Sequence, residues 1–153
     1  MNDEDKIKWI LENWGKAKAR AKNLEVKAKN LQYSLAAKTS VGGRGSGDGP
    51  SEQERHVVNK DEIEFDARAL MWNIEAIEES VNSLKEEQRK VVQYFYFDDL
   101  TIKQILNRMM PEHEIDSKRT IRRRKQNAIK NLVDRRLTTI YHPLNNILET
   151  DNN

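Results

Sequence analysis

The sequence predicts an all-α protein, with a heptad-bearing helical hairpin (coiled-coil-like) followed by a tri-helical helix-turn-helix unit. Three observations predict it. Apolar residues recur every seven positions in two long segments either side of a glycine-rich stretch. They return at helical spacing in shorter segments that open on capping residues, and the last of these carries a dense run of arginine and lysine. With 34% charged against 37% hydrophobic residues in 153, the composition suits solvated helices in one modest domain or two small pieces.

The first segment runs from about Lys6 to Ala37. Ile7, Trp14, Ala21, Ala28 and Leu35 occupy one heptad position, and Ile10, Ala17, Leu24 and Leu31 the other. That pattern turns one narrow stripe towards a partner helix, and the alanines allow close backbone approach. Residues 39–51 then hold most of the glycine in the chain and read as a flexible linker. The stretch has no Gly-Lys-Ser/Thr ending and no preceding strand, which argues against a nucleotide-binding loop. Beyond it the heptad returns, with Ile63, Leu70, Ile77 and Leu84 alternating with Ala67, Ile74 and Val81. The first helix is basic and the second acidic, as expected of an antiparallel pair. The same stripes serve equally for pairing between two chains, so homo-oligomerisation through the heptad helices stays open.

Residues 83–137 form the second expected region. Ser83-Leu-Lys-Glu86 fits a capping box, in which a Ser hydroxyl and a Glu three residues on satisfy free helix N–H groups. Val91, Val92, Phe95 and Tyr96 supply the apolar face, and Asp98-Asp99 close the helix at a turn. Thr101-Ile-Lys-Gln104 repeats the box and opens a short helix with Ile102, Ile105 and Leu106 inward, which Pro111 is expected to stop after Met110. Glu112-His113-Glu114 reads as a solvated connection. Ser117 caps a long final helix reaching about Arg136, held by Ile121, Ala128, Ile129 and Leu132. Residues 138–153 form a tail in which Ile140, Tyr141, Leu144, Ile147 and Leu148 suit a short amphipathic helix packed back on the unit.

The net charge of +2 conceals strong segregation: Lys6–Lys38 is mainly basic, Glu52–Glu79 mainly acidic, and Lys118–Arg136 basic with Asp134 its one acid. A basic final helix in a tri-helical pattern has the geometry to enter the DNA major groove. Arg pairs with guanine edges, Gln with adenine, and flanking cations neutralise phosphates. The DNA-binding set expected from this pattern is Ser117, Lys118, Arg119, Arg122, Arg123, Gln126, Lys125 and Lys130, with Thr101 and Lys103 touching the backbone from the helix before.

Leu84 to Phe97, Leu100 to Leu106 and Ser117 to Leu132 together resemble the promoter-recognition helix-turn-helix of bacterial sigma factors, region 4. With helical segments ahead of it in a short chain, the sequence also resembles the phage late-gene transcriptional activators of the RinA/ArpU type. The sigma-like resemblance spans about Leu84–Leu137, and the looser one most of the chain. It implies promoter binding with bacterial RNA polymerase as partner, in the host cytoplasm. Two features depart from the family pattern: residues 111–116 make a longer turn, and Arg124 stands where an apolar residue is common. Arg124 is therefore expected to reach sideways to a phosphate or an acidic partner.

Other classes compete less well. A small terminase-like packaging protein would place its DNA-binding unit before its oligomerisation helices, whereas here it follows them. A complete sigma factor needs a further helical domain, and Trp9 and Trp14 lie on or beside the heptad stripe, where packing accounts for them. No enzyme, cofactor or metal site is expected: there is no cysteine, and His56, His113 and His142 are scattered. No apolar run is long enough for a signal peptide or a membrane span.

Overall fold

The computed structural model describes residues 1–40, 52–113 and 117–149, with side chains described for residues 1–33, 59–111 and 117–149. Most of the 39–51 linker and the Glu112-His113-Glu114 connection lie outside those limits. The described residues are all-helical, with no strand among them. In order they form α1 (Asp3–Glu12), α2 (Trp14–Ser40), α3 (Glu52–Asn82), α4 (Glu86–Val92), a π-helical turn (Gln93–Phe97), α5 (Ile102–His113), α6 (Lys118–Asp134), a 3₁₀ turn (Leu137–Ile140) and α7 (Tyr141–Glu149). They fall into two compact units: Met1–Ala17 with Asn73–Asn153, and Lys18–Trp72.

The larger unit is organised around α6. Its buried residues Ile121, Ala128, Ile129 and Leu132 follow the 3.6-residue period, and α1, α4 and α5 all pack on this helix. One core cluster joins Ile121 to Val91 of α4 and to Ile105 and Met109 of α5, with Phe95, Leu100, Ile102 and Leu106 around it. α1 contributes Ile7, Ile10 and Leu11, all fully buried, and touches α6, α7 and both short turns. The first heptad positions thus serve this core. The helix breaks at Asn13, whose side-chain amide donates to the Trp9 carbonyl at 2.8 Å. Past the break, Trp14 stacks on Phe97 with ring centroids 4.1 Å apart, and Trp9 meets Tyr141 edge-on at 5.1 Å. Both tryptophans are packing residues.

Local signals decide most of the helix ends. Thr101 and Gln104 form the reciprocal box expected: the Gln104 N–H donates to the Thr101 hydroxyl, and the Thr101 N–H to the Gln104 amide oxygen. Asp99, at φ 54°, takes the left-handed conformation that turns the chain after the π-helical turn. Arg136, at φ 61°, does the same after α6. Two expectations fail. Ser83 caps nothing: its hydroxyl donates to the Ser80 carbonyl at 2.7 Å, closing α3, and α4 opens from Lys85 without a side-chain cap. Pro111 lies inside α5, which continues to His113. A proline in the last turn forfeits one backbone hydrogen bond, and too few residues follow for the loss to grow.

In the smaller unit α2 buries Ala21, Leu24 and Ala28, and α3 buries Ala67 and Leu70, each along one narrow stripe. The adjoining parts of the same helices in the larger unit continue these stripes with Ala17 on α2 and with Ile74, Ile77 and Val81 on α3. There the Trp14 indole N–H donates to the Glu78 carboxylate at 3.2 Å.

Tyr96 records how closed the larger core is. Burial, with the Glu12 carboxylate adding to it, pushes its hydroxyl up to about 12 from the ordinary 10.0. The folded protein therefore holds this proton more tightly than the unfolded chain, and stability is lost as pH rises from 10 towards 12. Urea unfolding followed by circular dichroism across that range is expected to fall more steeply for the wild type than for Tyr96→Phe.

Candidate nucleic-acid interface

α6 starts where its cap can form. Ser117 is extended (φ −148°, ψ 150°), and its hydroxyl accepts from the Thr120 N–H at 3.3 Å while meeting the Thr120 hydroxyl at 3.1 Å. The hydroxyl holds the helix start, so Ser117 positions the interface.

From that start the side chains divide by angle. Arg119, Arg123, Gln126 and Lys130 are exposed, and spacings of four, three and four put them on one side, away from the buried stripe. Arg122 is exposed beside them, and Lys118 is exposed in the first turn. Thr101 and Lys103 are exposed at the start of α5, where the Thr101 hydroxyl oxygen accepts the cap bond from the Gln104 N–H and keeps its O–H as a donor. Of the sequence-predicted set, then, five residues form a continuous cationic and amide surface: Arg119, Arg122, Arg123, Gln126 and Lys130.

The remaining basic residues are used within the fold. Arg124 is half-buried and reaches the Glu87 carboxylate of α4 at 3.6 Å, so the acidic partner foreseen for it is internal. Asn131, seven residues further along the same flank, donates to the Gln88 side-chain oxygen at 2.8 Å, and Arg135 donates to the Ser83 hydroxyl. These three contacts fasten one flank of α6 to α4 and the turn before it.

Lys125 lies on the other flank. Its ammonium sits over the Phe95 ring at 3.9 Å from the centroid, a cation–π contact. Burial lowers its pKa, the charges of Lys8 and Arg122 lower it further, and Glu12 opposes them. Lys125 is therefore part of the packing against the π-helical turn, and the exposed Lys8 of α1 carries positive charge to this side. Lys8 was missed by sequence reasoning, because its heptad neighbours assigned it to a different region. Arg108 was missed as well: exposed on α5, it stands over the Tyr94 ring at 5.6 Å.

The chemistry available is recognition of an anion or of hydrogen-bonding base edges by Arg, Lys and Gln on a rigid helix. No group of His, Asp, Glu or Cys among the described residues is arranged to hold a metal ion. Among those residues no helix is long and apolar enough to cross a membrane.

A family model described as a protein of unknown function (DUF722) matches residues 3–135. Neither a curated protein nor a solved structure matches the chain.

Replacing Ser117 by Ala removes the cap without touching the exposed stripe. It is expected to cost about 1 kcal/mol, measured by urea unfolding, with the helical content of the folded state retained.

Proposed function

The chain belongs to the DUF722 family, and from the geometry of α6 we propose that it is a sequence-specific double-stranded DNA-binding regulator of transcription. The observation that carries this reading is the stripe of Arg119, Arg123, Gln126 and Lys130 with Arg122 beside it, exposed on a helix whose opposite side is locked into a core. An α-helix fits the major groove, and a helix fixed by Ile121, Ala128, Ile129 and Leu132 presents its arginines without first having to order itself. Bidentate Arg and Gln contacts read base edges, while Lys130, Lys118 and Lys103 neutralise phosphate and release counterions.

The helix order and the capped start of α6 support the resemblance to sigma factor region 4, and with it a role as an activator of phage late genes acting beside bacterial RNA polymerase. In this reading α4, α5 and α6 form the tri-helical unit, α1 and α7 brace it, and α2 and α3 pair as an antiparallel hairpin through their alanine-rich stripes. No catalytic group is assigned.

Selection of bound sequences from a random duplex pool, followed by fluorescence anisotropy across a salt series, tests the reading. Alanine at Arg119, Arg122, Arg123 or Gln126 is expected to cost ~1–3 kcal/mol and relax preference at one position where the side chain reads a base. Where it binds phosphate, the salt slope falls by ~1. Unchanged affinity and preference in all four variants would sink the assignment of this face.

A further inference from the structure

The outward faces of α2 and α3 in the smaller unit are not those of a simple spacer. Val26 and Tyr33 of α2 are 49% and 75% exposed, and Phe65 and Trp72 of α3 are 68% and 79% exposed. Within each pair the spacing is seven residues, two helical turns, so both members share one side. Three of the four also stand two residues from a buried position: Val26 between Leu24 and Ala28, Phe65 before Ala67, and Trp72 after Leu70. At 3.6 residues per turn, two residues are roughly 200° apart, so these pairs point directly away from the buried stripes. Large aromatic surface repeated on the outer side of a solvated helix is characteristic of a contact surface.

Charge identifies the occupant. From Lys18 to Tyr33 the chain carries Lys18, Arg20, Lys22, Lys27 and Lys29 with Glu25 the one acid. From Asp61 to Trp72 it carries Asp61, Glu62, Glu64 and Asp66 with Arg68 the one base. On the edges themselves, Lys22 and Lys29 stand one turn from Val26 and Tyr33, while Asp61 stands one turn before Phe65 and Glu75 one turn after Trp72, with Arg68 between them. Two α3 edges brought together would oppose carboxylates, and two α2 edges would oppose ammonium groups. An α3 edge against an α2 edge pairs opposite charges around an apolar centre.

We propose that these edges are the two halves of a self-association site, the Phe65–Trp72 edge of α3 in one copy seating on the Val26–Tyr33 edge of α2 in the next. Two unlike surfaces on one chain make a head-to-tail contact, which propagates beyond a dimer into a ring where the rotation closes and into an open filament where it does not. The site is separate from the heptad stripes and from α6. Its failure leaves the DNA-binding reading intact.

Sedimentation velocity on the full chain tests it, with circular dichroism confirming helical content. The wild type is expected to form species larger than a dimer at low salt and to dissociate as salt rises. Phe65→Ala/Trp72→Ala and Val26→Ala/Tyr33→Ala are each expected to be monomeric alone. Mixed in equal amounts they should give a one-to-one heterodimer, because one retains a live α2 edge and the other a live α3 edge. A monomeric wild type overturns the proposal. So does either variant self-associating alone, which indicates like-with-like pairing, or both keeping the wild-type size, which indicates exchange through the heptad stripes. The salt series on the wild type needs no variant: a larger assembly that is indifferent to salt also overturns it.

Discussion

A helix that carries arginine or lysine at most turns can be held along only one stripe, and the larger unit is built on that constraint. Ile121, Ala128, Ile129 and Leu132 are the apolar positions α6 buries, so α1, α4 and α5 find their places against that stripe or its flanks. The exposed cations follow as a consequence. Burying Arg119 or Arg123 instead would require partners for their charges, and an unpaired buried cation costs several kcal/mol. The core and the candidate interface are therefore two sides of one helix, and the positioning of one is the positioning of the other.

The flanks show how the fold sorts a run of similar residues. Arg122, Arg123, Arg124 and Lys125 are consecutive, yet each steps about 100° around the helix and meets a different environment. Arg124 meets Glu87, Lys125 lies on Phe95, and Arg122 and Arg123 are left to solvent. With Asn131 on Gln88 and Arg135 on Ser83, the α4 flank is held by polar contacts whose geometry specifies orientation more than it adds stability. A surface on a helix so fixed loses little backbone entropy on binding.

The long helices use a different economy. Their stripes are rich in alanine, which costs no side-chain entropy on burial, and the larger Leu and Ile residues are spaced among them. Tyr33, Phe65 and Trp72 lie outside those buried stripes and stay exposed.

Much was legible in the sequence because it is local. Periodicity alone located the buried stripes of α2, α3 and α6, and the boxes at Thr101–Gln104 and Ser117 are set by residues within one turn of each other. Ser83 and Pro111 misled for reasons that are not local. A serine can bond backward to close one helix as readily as forward to open the next, and a proline stops a helix only where enough helix remains to lose. Ile7 and Ile10 fit the heptad, yet the break at Asn13 places them in the core beside α6. So the sequence by itself determined an all-helical chain and the cationic character of its last long helix. The tertiary structure decided which cations remain free for a ligand, because Glu87 and Phe95 come to Arg124 and Lys125 only when α4 and the π-helical turn pack on α6.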